Sequence, residues 1–135
     1  MKKLLVGLLV LCMLAACTGG TSTSVIGKWK LISHGSASSQ IPAAPNVDTT
    51  IEFKSDGGLN GSVGCNSFSG NFKAKDDGLT FGPVASTMMF CEGPVGDQEL
   101  TTLTVFQTSA KFVLDGSKLT ITSADGKSVI MLEKK

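Results

Sequence analysis

Cys65 and Cys91 are the residues in the body of this chain whose type could do covalent chemistry, and three roles fit such a pair: a nucleophile with its base, a metal pair, or a disulfide. A nucleophilic thiol needs a base that is itself oriented. The only histidine, His34, begins a proline-containing stretch with no recognisable carboxylate to orient it. A metal centre needs more ligands than two cysteines and one histidine, and no Cys-x-x-Cys spacing is present. The acids Glu92, Asp97 and Glu99 cluster further on, without the ligand spacing of a calcium loop. They read instead as charges that favour a helix N-terminus, with Asp97 the capping candidate. No catalytic residue, metal or cofactor is therefore expected, and the fate of the cysteines turns on the compartment.

The N-terminus addresses that question. Met1-Lys2-Lys3 followed by the apolar run Leu4 to Leu14 has the charged and hydrophobic regions of a secretory signal. The run is too short to read as a membrane span. Leu14-Ala15-Ala16-Cys17 resembles the lipobox of bacterial lipoproteins, in which small residues admit the signal peptidase and the cysteine receives the lipid. The alternative is an ordinary signal cleaved after Ala16, leaving a free thiol at Cys17. On the lipoprotein reading residues 1–16 are the signal peptide, Cys17 is the lipidation site and residues 17–24 are a flexible Thr/Gly/Ser tether. Residues 25–135 then form one domain in the bacterial envelope, lipid-anchored to a membrane, with the outer membrane favoured over the inner. Cys12 leaves with the signal, so Cys65 and Cys91 are the two cysteines of the folded domain. In an oxidising compartment a disulfide is favoured over two free buried thiols. Closing a loop of about 27 residues would stabilise the domain by roughly 3 to 4 kcal/mol in the chain-entropy account.

The elements that must position these residues are mostly strands. Gly27 to Ile32 alternates, with Trp29 and Leu31 on one face and Lys28 and Lys30 on the other. Ser33 to Asp48 reads as a long loop. Strands over Thr49–Lys54 and Leu59–Val63, Phe72–Lys75 and Leu79–Phe81, and Lys111–Leu114, Lys118–Thr122 and Lys127–Glu133 are punctuated by Asp-Gly, the signal of type I′ hairpin turns. Between them the glycine-rich Gly61 to Gly70 predicts a sharp, bulged connection with residues at positive φ, holding Cys65 at its bend. Eight strands in sequential hairpins predict a mainly β fold, an antiparallel barrel with one α-helix. That helix is expected from about Gly96 to Ser109, burying Leu100, Leu103 and Phe106 against one end.

The chain has 12 basic residues, all lysine, against 11 acids. Removal of residues 1–16 takes two lysines and no acid, leaving 10 against 11. Without clustered cations or any arginine, a nucleic-acid partner is excluded.

Gly27-Lys28-Trp29, the motif Gly64-Cys65-Asn66-Ser67-Phe68-Ser69-Gly70, Phe81-Gly82-Pro83, Thr87-Met88-Met89-Phe90-Cys91, Glu99 and the Asp115-Gly116-Ser117-Lys118-Leu119 hairpin together resemble the META domain family, which includes the HslJ heat-shock protein. The resemblance spans about residues 25 to 133. Two positions differ from the family pattern: Met88, where arginine is common, and Phe90, where a small residue is. The resemblance implies a barrel of lipocalin-like topology with one helix, and motif positions Gly64, Cys65, Asn66, Thr87, Met88, Cys91 and Glu99. It implies little biochemistry beyond a loose link to stress, antibiotic tolerance and virulence; taken with the lipobox, the expectation is a stress- or envelope-associated binding module, anchored through Cys17, with a protein or small-molecule partner. The rivals are a thiol-dependent enzyme using Cys65 or Cys91 and a lipocalin-like carrier of small apolar ligands, which would need a hollow barrel.

Overall fold

Alternating side chains and Asp-Gly turns build ten strands and one helix in the computed structural model, which describes residues 24–135. The expected signal peptide, most of the tether and Cys17 lie outside the described residues. In chain order the elements are β1 (Gly27–Ser36), β2 (Ser39–Pro42), β3 (Thr50–Phe53), β4 (Gly58–Ser62), β5 (Ser67–Lys75), β6 (Gly78–Phe81), β7 (Ala85–Ser86), α1 (Gly93–Val105), β8 (Ser109–Asp115), β9 (Lys118–Ser123) and β10 (Val129–Lys134). Eight of them form a closed antiparallel barrel in the order β1-β3-β4-β5-β6-β8-β9-β10, with β10 returning to pair β1 from Trp29↔Lys134 to Gly35↔Val129. Closure leaves the wall with no long free edge.

The inward positions are apolar. Trp29, Leu31, Ile51, Phe53, Leu119, Ile121 and Leu132 are all buried. Phe106 is a hub among the rings: its centroid lies 4.9 Å from that of Phe81, 5.6 Å from Phe68 and 6.3 Å from Phe53. Phe53 in turn meets Phe72 edge-on at 4.9 Å. These buried rings pack against one another inside the barrel.

The first strand enters at one pole, with the turns after β3, β5 and β8. The β4–β5 bend, α1 and the β9–β10 turn lie at the other.

Several expectations are corrected. The loop assigned to Ser33–Asp48 is in part a hairpin: β1 runs on to Ser36 and returns as β2, at the wall only through β1. Its polar residues hold the register locally, Gln40 Nε2 donating to Ser36 O at 2.7 Å and Ser33 Oγ to Gln40 Oε1 at 2.8 Å. The Asp-Gly turns each place one residue at positive φ, Gly57, Gly116 or Gly126, and the β5–β6 turn uses Asp76. Type I′ needs two, so that geometry is not adopted. No residue of Gly61 to Gly70 has positive φ. There glycine serves close approach instead, since a Cβ on Gly61 would meet the backbone of Thr50 and the Phe68 ring.

The helix begins three residues early and ends four early. Glu92 is its N-cap, without a side-chain capping bond, and Pro94 sits in its first turn, where the missing N–H costs nothing. Asp97 and Glu99 therefore lie within the helix and cap nothing. Its buried side chains are Gln98, Glu99, Thr102 and Val105, whereas Leu100 is 68% exposed and Leu103 half-buried. Phe106 is buried as expected, but one residue past the helix end.

Candidate functional site

At the pole away from chain entry, the short bend between β4 and β5 carries Gly64, Cys65 and Asn66. The helix crosses this bend at backbone distance: a Cβ on Gly64 would run into the Glu99 carboxylate and the Val95 carbonyl. A Cβ on Gly96 would likewise strike the Cys91 carbonyl, so bend, helix and the loop before the helix are pressed together.

Covalent and polar links then fasten them. Cys65 and Cys91 form a disulfide with Cα atoms 5.9 Å apart, inside the range such a bond requires. Asn66, 5% exposed, uses every polar group it has. Its backbone N–H donates to Glu99 Oε2 at 2.8 Å and its side-chain Nδ2 to Glu99 Oε1 at 2.5 Å. The same Nδ2 donates to Met89 O at 3.0 Å, while Oδ1 accepts from Met89 N at 2.7 Å and from Thr87 Oγ1 at 2.9 Å. One amide thus pairs with both backbone groups of Met89, as a neighbouring strand would. Thr87 Oγ1 also accepts from Ser67 N at 3.1 Å, and Ser62 Oγ donates to Asn66 O at 2.9 Å.

A second set of bonds ties the helix to the rim. Gln98 Oε1 accepts from Ala44 N at 2.8 Å, and its Nε2 donates to the carbonyl of Val63. These are backbone groups at strand ends, where the ladder has stopped; a buried polar group without a partner costs about 1–3 kcal/mol. Gln98 was not singled out in the sequence. The signal available was the helical spacing of Gln98, Glu99, Thr102 and Val105, a mixed stripe that competes with Leu100/Leu103/Phe106.

What this clasp holds out is apolar. Between Thr87 and Cys91 the side chains of Met88, Met89 and Phe90 are 96%, 60% and 87% exposed. The motif expected from the sequence is brought together, with Met88 as the member that points into solvent rather than into the network.

His34 lies apart, on β1 between Ile41 of β2 and Ile130 of β10. It is buried with both ring nitrogens unpartnered. Burial lowers its pKa below the usual 6.5, and the negative charge of Asp97 partly opposes that. Both described cysteines are joined to each other, so among the described residues there is no thiol for His34 to activate. No cluster of three metal-ligating side chains occurs among the described residues.

A closed antiparallel barrel with a rim helix and a disulfide-pinned loop defines a class of small β-barrel domains. Within it, the chain belongs to the META domain family, whose profile it matches over residues 23–135. Among solved structures it is similar to a protein from Burkholderia xenovorans, at 20% identity and a TM-score of 0.64, with 81% of each chain covered. A second protein solved by NMR is 23% identical, with a TM-score of 0.60 over 78% of this chain and 86% of that one. A DUF4847 family protein from Bacteroides vulgatus is 15% identical, with a TM-score of 0.56 over 81% and 92%. These likenesses are of fold. No curated protein matches the chain.

Proposed function

We propose that this chain is an envelope-anchored lipoprotein, held by acyl chains on Cys17, whose META domain is a binding module and not an enzyme. The observation that carries the reading is the use to which the polar and covalent groups of the rim are put: Asn66, Thr87, Glu99 and the disulfide are all engaged in holding a loop that turns Met88, Met89 and Phe90 to solvent. A rigid loop with exposed apolar side chains favours association, because little further ordering is lost on binding. The thiol-enzyme reading is disfavoured by the joined sulfurs, and the carrier reading by the rings packed against one another inside the barrel. Anchoring at Cys17 is supported by the Leu14-Ala15-Ala16-Cys17 motif behind an apolar run. Metabolic labelling with an acyl probe is expected to mark the wild-type chain and not Cys17→Ser. Label retained in that variant overturns the anchoring.

A further inference from the structure

Two short strands join the barrel wall by one side only, β2 through β1 and β7 through β5, and β7 adjoins the exposed tip. β5 is flanked on one side by β6 and then, further along, by β7, which pairs with Phe68 and Ser69. β8 pairs with β6 only over Gly78–Thr80 and does not reach β7. β7 therefore has one partner and one free side. Thr87 N donates to Ser67 O at 3.0 Å, and the alternation of an antiparallel ladder then turns the N–H and C=O of Ser86 away from β5. They face a groove of about 220 Å³ between β7 and the end of α1, lined by Val84, Ser86, Leu103, Phe106 and Gln107. The exposed tip begins two residues on from Ser86.

We propose that this free edge, its groove and the Met88-Met89-Phe90 tip are one docking surface, and that its occupant is an extended apolar segment of a partner protein that adds to β7 as a strand. A free strand edge offers main-chain hydrogen bonds, and an adjoining groove with Val84, Leu103 and Phe106 in its wall takes alternate apolar side chains of the added strand. The methionine side chains of the tip adapt to varied apolar surfaces. Charge has little part here, since the lining carries no ionisable group.

The chain leading to the domain helps to choose the occupant. From Cys17 to Ser24 there are seven residue steps (24 − 17), which reach at most about 25 Å. β1 alone, Gly27–Ser36, runs about 30 Å, and the chain enters it at the opposite pole. The tether, all Thr, Gly and Ser after Cys17, has no apolar side chain to offer the groove, and on the anchored reading the lipid is joined to the domain at the opposite pole. This orientation rests on the anchored reading above, whereas the edge and the groove do not.

The test uses the full chain, purified in detergent with its disulfide intact, as the target for selection from a displayed library of random short peptides. Enriched peptides are expected to alternate apolar residues, to slow hydrogen exchange of the Ser86 amide, and to lose about tenfold or more in affinity on Phe90→Ser, the loss of one interface anchor. A Met88→Ser variant gives a second reading of the tip. Circular dichroism melts of both variants should match wild type, as expected for exposed side chains. Absence of enrichment, unchanged Ser86 exchange, or affinity indifferent to both tip variants overturns the proposal. So does quenching of a Phe90→Trp variant by brominated acyl chains in phosphatidylethanolamine/phosphatidylglycerol vesicles, which would give the tip to lipid. Self-association of the full chain in sedimentation that Phe90→Ser abolishes would give it to a second copy and overturn the proposal too. Peptide binding by a chain that takes no acyl label sinks the anchoring and supports the docking surface; label without peptide binding does the reverse.

Discussion

In the barrel wall β3 turns Ile51 and Phe53 inward and leaves Thr50 and Glu52 half-exposed, whereas along α1 the inward residues include Gln98, Glu99 and Thr102 while Leu100 faces outward. The two regions face different demands. A wall strand satisfies its own backbone through its ladder, so its inward side chains need only be apolar and of the right volume. At the rim the ladders stop, and backbone groups of Ala44, Val63 and Asn66 take their partners from Gln98 and Glu99 of the helix. Leaving each of these buried and unpaired costs about 1–3 kcal/mol, while burying one leucine contributes about 2 kcal/mol. Several orphan groups outweigh one leucine, so the helix turns its polar stripe inward.

Substitutions can break or sharpen that contrast. The largest loss is expected for Phe106→Ala, which empties the hub of the wall core and should cost about 3–5 kcal/mol in denaturant unfolding. A cost under about 1 kcal/mol would show that the rings pack independently of it. Asn66→Ala should come next, at about 2 kcal/mol, because it strands the two backbone groups of Met89 and frees one Glu99 oxygen. If the rim were held by apolar packing alone, that variant would unfold like wild type.

A smaller, pH-dependent effect is expected from His34. Burial lowers its folded-state pKa, so between that lowered value and 6.5 the unfolded chain binds the proton more readily than the native one. Stability is present above about 6.5 and is lost as pH falls through this window. His34→Phe should flatten that part of the melting profile, and an unchanged slope would assign it to another group. Least of all should Leu100→Ser matter, below about 0.5 kcal/mol, since the side chain faces solvent. A loss of several kcal/mol there would mean that the helix buries its apolar stripe after all.

The eight wall strands were legible, β5 only in its second half, because most of them alternate and four of their turns carry aspartate and glycine, and the two cysteines paired as the count and the leader implied. β2 and β7 were not. Ser39-Gln40-Ile41-Pro42 and Ala85-Ser86 lack strand composition, and only the edges of β1 and β5 recruit them. The face of α1 was misread because leucine spacing was weighed without asking which backbone groups the barrel leaves unpaired. The glycines of the bend were found, but for the wrong reason. Gly64 is required by the approach of Glu99 and Val95, a contact between segments that no local rule contains.

The pairing of β1 with β10 also sets an order of events. Trp29 is opposite Lys134, so the first wall strand meets its second neighbour only when nearly the last residue of the chain is available. Contacts so distant in sequence slow folding, because the loop between them must close before they contribute. A chain synthesised or exported from its N-terminus holds β1 with an open edge until β10 emerges. The tryptophan sits at that seam, with the Lys134 ammonium 4.5 Å from its ring centre, and it is the only one in the chain. Its emission during refolding is a clock for the closing of the ring.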